Sequence, residues 1–146
     1  MTPYIYLGLL QNSRDKFLKS KYTKKNELEL KQILKTVEDY FGYSIIEPGL
    51  RARKKQKERE LFYYFCFELL YDKQPKGERS RFFKQIGEIV HRNRVSIFHN
   101  YNLWRDYQFV NDYCHFSGNF FRNHYYILKG MFDGDDYTDC LMKYRP

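Results

Sequence analysis

A chain of 146 residues with 26 Lys and Arg against 18 Asp and Glu is long enough to bury one core, and nothing in it suggests a second domain. The formal charge of +8 favours a polyanionic partner, nucleic acid ahead of an anionic membrane surface, and no apolar run approaches membrane-spanning length. Three widely spaced cysteines, Cys66, Cys114 and Cys140, argue against a disulfide framework and for a reducing cytosol, and the Met1-Thr2-Pro3-Tyr4 start lacks the pattern of a signal peptide.

In chain order, Tyr4 to Leu18 has mixed apolar spacing, weakened by Gly8, and is read as a helix that packs on the rest. Residues 19–25 read as a polar basic linker. Asn26 is the expected N-cap of a helix carrying Leu30, Ile33, Leu34, Val37 and Phe41, with Glu27 and Glu29 in its first turn and Gly42 at its C-terminal cap. Pro48 and Gly49 mark a turn, and six of the ten residues from Leu50 to Arg59 are Lys or Arg. Residues 58–71 form an expected helix that is apolar almost all round and therefore central, with Cys66 as a small core residue. After a loop from Asp72 to Arg79, Ser80 is placed to cap a helix running to Val90. A further helix runs from Val95 through Trp104 and Tyr107 towards Tyr113, Gly118 marks a break, and 119–132 make the last helix. No strand alternation occurs, so the expected fold class is all-α.

One stretch organises the chain. Ile86, Ile89 and Val90 end one helix, Ile97, Phe98 and Tyr101 begin another, and only a short polar turn around His91, Arg92, Asn93 and Arg94 separates them. This is the spacing of a helix-turn-helix, whose second helix presents side chains at its N-terminal end to base edges and phosphates. A tight helical corner with a solvated polar tip reads equally well from this stretch alone.

Three blocks, in order, resemble the C-terminal DNA-binding domain of the bacterial replication initiator DnaA. Ile33-Leu34-Lys35-Thr36-Val37-Glu38-Asp39-Tyr40-Phe41-Gly42 is similar to the helix that opens that domain. The basic stretch with Arg59, followed by the helix ending Glu68-Leu69, is similar to its basic loop and next helix. Ile86-Gly87 with Arg92-Asn93-Arg94-Val95-Ser96-Ile97-Phe98-His99 looks like its signature block. The resemblance covers residues 27–105 and leaves 106–146 as a helical extension and acidic tail. It implies a helix-turn-helix of Trp-repressor-like type with extra N- and C-terminal helices. It also implies that Arg92, Asn93, Arg94, Val95, Ser96 and His99 face the major groove, with Arg53, Lys54, Lys55, Lys57 and Arg59 at the minor groove and phosphates.

Asn93, Arg94 and Val95 stand where the family has Asp, His and Ser or Thr, so its target sequence does not carry over; Asn suits adenine and Arg suits guanine. No Gly-x-x-x-x-Gly-Lys-Ser/Thr phosphate loop occurs, so ATP-driven origin melting is not expected. The expected function is a stand-alone double-stranded-DNA binder regulating transcription or replication in the cytoplasm of a bacterium or phage-infected cell. The alternative is a structural or protein-interaction module, with the aromatic C-terminal helices as an oligomer or partner surface. No enzyme activity, cofactor or metal is expected: Cys114-His115 has no second ligand pair, and in the acidic 133–139 segment Tyr144 stands where a calcium loop would close with Glu.

Overall fold

The computed structural model describes residues 23–46, 55–107 and 119–134, which form five α-helices, one short 3-10 helix (Tyr71–Lys73) and no strand: α1 (described over 23–41), α2 (Gln56–Leu70), α3 (Arg79–Val90), α4 (Arg94–Asp106) and α5 (Asn119–Phe132). The fold is all-α, as the periodicity indicates. The N-terminal helix expected over 4–18, the turn at Pro48 and Gly49, the break at Gly118 and the Asp-rich 135–139 stretch lie outside the described residues.

α2 is the axis. Its residues Leu61 to Phe67 are all buried, so it has no solvent face over two turns. On one side Phe67 meets Phe83 of α3 and Tyr101 and Trp104 of α4, with ring centroids 6.0, 5.7 and 5.8 Å apart. On the other, Tyr64 stands edge-on to Phe121 of α5 at 4.7 Å and Phe65 stacks on Tyr125 at 5.3 Å. Offset and edge-to-face pairs of this kind add about 0.5–1.5 kcal/mol each beyond the area they bury. Leu30, Ile33 and Val37 complete the core from α1. Burial pushes the Cys66 thiol up, which keeps it in the unreactive protonated form.

α5 therefore belongs to the core. Phe121, Tyr125 and Leu128 are buried, and the Tyr125 hydroxyl donates to Glu68 Oε1 at 2.6 Å. The aromatic helix expected as a partner surface spends its apolar face on α2, because an almost wholly apolar helix needs cover on every side.

Two local expectations are corrected. α1 is already helical at residue 23, inside the expected linker, and Asn26 lies within it, 5% exposed. Its amide donates to Gln74 Oε1 at 2.8 Å and accepts from Gln74 Nε2 at 3.3 Å, while Gln85 Nε2 donates to the Thr23 carbonyl at 2.9 Å. Asn26 thus ties α1 to the segment after α2 and to α3, which removes it from capping. Ser80 is not a cap either: Glu78 occupies that position without a side-chain bond, and Ser80 Oγ accepts from Arg94 Nη1 at 2.8 Å. Gly42 does close α1, with φ +79° and its N–H on the Glu38 carbonyl at 2.8 Å.

The 42–46 turn is stitched onto the start of α2. Glu38 accepts from the Ile45 N–H at 2.9 Å, and Lys55 and Arg59 donate to the Ser44 and Ile45 carbonyls at 2.9 and 3.2 Å.

Replacing Asn26 by Leu leaves Gln74 Oε1 without its Asn26 donor in the core, although Gln74 Nε2 keeps the Leu70 carbonyl, and should cost about 1–3 kcal/mol, read as a lower denaturation midpoint at unchanged slope. A pH effect is expected from His124, which packs against Tyr40, Phe41 and Phe120 and is hydrogen-bonded to the Tyr40 hydroxyl. Burial lowers its pKa, against a smaller opposing effect of Glu58. The unfolded chain therefore takes up the proton first, so this contribution is complete above about pH 6.5 and is lost as pH falls towards the depressed native value. The melting temperature should drop across that interval, and His124→Asn should flatten the drop.

Candidate nucleic-acid interface

The turn between α3 and α4 is fixed by backbone contacts. α3 ends with His91 in the left-handed region at φ 57°, and the Arg92 N–H reaches back to the Gly87 carbonyl at 2.8 Å, the six-to-one bond of a Schellman motif. A Cβ on Gly87 would stand 2.5 Å from the Arg92 carbonyl oxygen, so the turn presses directly on α3 and only glycine admits it. Asn93 then starts α4 as its N-cap, with Oδ1 accepting from the Ser96 N–H at 2.9 Å. The turn is thus only three residues long, and α3 and α4 pack against each other on either side of it.

The first turns of α2 and α4 meet in a polar cleft of about 200 Å³. Gln56, Arg59, Glu60 and Tyr63 form the α2 wall, and Arg92, Ser96 and Asn100 form the other. The Asn100 side chain is anchored on the Ser96 carbonyl at 2.9 Å. Burial pushes the Tyr63 phenol up to about 12 against the nearby Arg59 and Arg92, and burial raises the Glu60 carboxyl against Gln56, Lys57 and Arg59. Arg92 donates one guanidinium nitrogen to the His91 carbonyl at 3.0 Å, while Nη2 is buried without a hydrogen-bond partner. An unpaired guanidinium nitrogen in a cleft is suited to an incoming anion.

The structure sorts the sequence-derived site residues into different roles. Arg92 and Ser96 share the cleft with Arg59, but Arg59 is 3% exposed and holds the Ile45 carbonyl; the expected phosphate contact is instead a core residue that fixes the turn before α2. Lys55 is committed to the Ser44 carbonyl and lies 4.9 Å over the Tyr43 ring. Lys57 is exposed on the first turn of α2, with Nζ 6.0 Å above the Phe120 ring. Asn93 spends its acceptor on the cap, leaving only its amide donors for a base. Arg94 crosses to Ser80 on the opposite flank of α4. His99 and Val95 stand outward, Val95 70% exposed, and among the described residues no helix covers this tip. Arg53 and Lys54 lie outside the described residues.

Gln56, Glu60, Tyr63 and Asn100 were not singled out from the sequence. Gln56, Glu60 and Tyr63 fall at i, i+4 and i+7, one face of α2, so the spacing was present; the partner across the cleft was not.

Among the described residues no helix is long and apolar enough to cross a membrane, and no group of His, Cys, Asp and Glu could hold a metal ion. Comparison with known protein families, with characterised proteins and with solved structures finds no match for this chain.

Two substitutions test the turn. Gly87→Ala forces backbone apart and should cost about 1–3 kcal/mol in chemical denaturation. Asn93→Ala loses the cap and should cost about 1 kcal/mol, whereas Asn93→Asp keeps an acceptor for Ser96 and should stay near wild type.

Proposed function

We propose that the chain is a stand-alone duplex-DNA-binding protein, of the DnaA C-terminal, Trp-repressor-like type, that serves transcription or replication in a bacterium or its phage. The observation that carries this reading is the shared cleft of α2 and α4 beside an α4 tip that none of the described residues covers. A single duplex laid along α4 meets both the reading side chains and the end of the cationic 50–59 stretch. Lys and Arg neutralise phosphates and release counterions, which supplies affinity at any sequence. Arg92, Ser96, His99 and the amide donors of Asn93 supply discrimination, about 1–3 kcal/mol for a good base contact, while Arg94 is held by Ser80 on the other flank.

The exposed Val95 and Phe98 favour a second reading, a protein-interaction module on the same scaffold. The two separate cleanly: the DNA reading requires a salt-dependent mobility shift with random duplex, while the module requires none and a defined oligomer in light scattering.

Fluorescence anisotropy over a range of salt is the direct test. Lys57→Ala should weaken binding to all duplexes about equally and lower the log–log salt slope by about one. In oligonucleotide selection, Asn93→Asp, which keeps the cap but loses both amide donors, should relax or change preference at one or two base pairs. Identical selected sequences for this variant and wild type exclude Asn93 as a reader.

A further inference from the structure

On the flank of α4 opposite the polar cleft, a groove of about 470 Å³ opens between the first turns of α3 and α4. Its volume falls in the range of about 300–1,000 Å³ usual for small-molecule sites. The walls are aromatic: Phe83, Phe98 and Tyr101 stand 5.1–6.3 Å apart, and Tyr71 lies 4.5 Å from Tyr101 beneath them. Phe98 keeps 49% of its surface in water, while Tyr101 beside it is half-buried and Trp104 is buried. Burial and the hydrogen-bonded Tyr71 push the Tyr101 phenol up to about 12 against Arg105 and Arg79, so the floor is uncharged at neutral pH.

One edge of this groove is cationic. Arg94 reaches Ser80 Oγ at 2.8 Å, and Arg79 lies 4.6 Å over the Tyr71 ring with a buried Nε that has no hydrogen-bond partner. Both residues line the groove, Arg79 at the start of α3, where no side chain caps the helix, and Arg94 at the start of α4. The neighbouring carboxylate, Glu78, faces Arg81 at 3.8 Å. Open aromatic rings beside two arginines and a free helix N-terminus are complementary to one ligand chemistry, a flat aromatic ring carrying a phosphate.

We propose that this groove is a nucleotide site, with the base against Phe98 and Tyr101 and the phosphate between Arg79 and Arg94. The site goes beyond duplex reading and is measured without DNA, so either idea can fail alone. Trp104, the one tryptophan of the chain, lies 5.8 Å from Tyr101 and 5.9 Å from Tyr71, and its fluorescence should report an occupant. The full chain is titrated with 5′-AMP, adenosine and inorganic phosphate. AMP should give a saturable change, with adenosine and phosphate each at least about tenfold weaker, because each lacks half of the recognition. Phe98→Ser and Arg79→Met, checked for helicity by circular dichroism, should each weaken AMP about tenfold, the scale of one lost stacking or charged contact.

A DNA arm identifies the source. If a duplex ending in one unpaired adenosine displaces AMP better than a blunt duplex, the occupant is an unpaired base of DNA; equal behaviour of the two assigns the groove to the free nucleotide. No saturable change with millimolar AMP, equal affinity for AMP, adenosine and phosphate, or unchanged AMP binding in both folded variants overturns the proposal.

Discussion

The rest of the molecule depends on a helix with no side left for water. From Leu61 to Phe67 every α2 residue is buried, and five of the seven are aromatic. A helix of this kind cannot form alone, because its apolar surface demands cover all round. α3 and α4 take one side through Phe83, Tyr101 and Trp104; α5 takes the other through Phe121 and Tyr125; α1 closes the remaining gap. The orientation of α4, and hence of everything it displays, follows from this packing.

The two ends of α2 are held differently. At its C-terminal end Asn26, Gln74 and Gln85 form a buried amide group that joins α1 to α3. Buried amides tolerate few arrangements, since an unmatched donor costs more than a matched pair contributes. At its N-terminal end Arg59 and Lys55 grip the 42–46 turn. This gives Arg59 a role opposite to that expected of a cation in a basic stretch: its guanidinium holds the Ile45 carbonyl inside the protein, and the positive surface charge of α2 is left to Lys57.

α4 separates two surfaces of different chemistry. One flank is polar, with Arg92, Ser96 and Asn100 across from Gln56 and Glu60; the other is aromatic with an arginine edge. The division follows from helix geometry. Arg92, Ser96 and Asn100 recur at intervals of four, Arg94, Phe98 and Tyr101 at four and three, and the outward strip between them carries Val95 and His99. One helix thereby offers, on opposite flanks, separate surfaces for the duplex and for the smaller aromatic anion proposed above.

The all-α class, the central place of residues 58–71, the last helix at 119–132 and the Gly42 stop were legible in the sequence, because apolar period and backbone freedom are local properties. So was the short turn after Val90, although His91 supplies the left-handed residue where glycine is more usual. What the sequence left open was the work of each polar side chain. Asn26, Arg59, Asn93 and Ser80 all carry groups equally suited to a cap, a core bond or a ligand. The choice among these roles was made by residues 14 to 59 positions away for Arg59, Ser80 and Asn26, and by the helix start itself for Asn93. Hydrophobic pattern is written along the chain; the partner of a hydrogen bond exists only once distant segments are brought together.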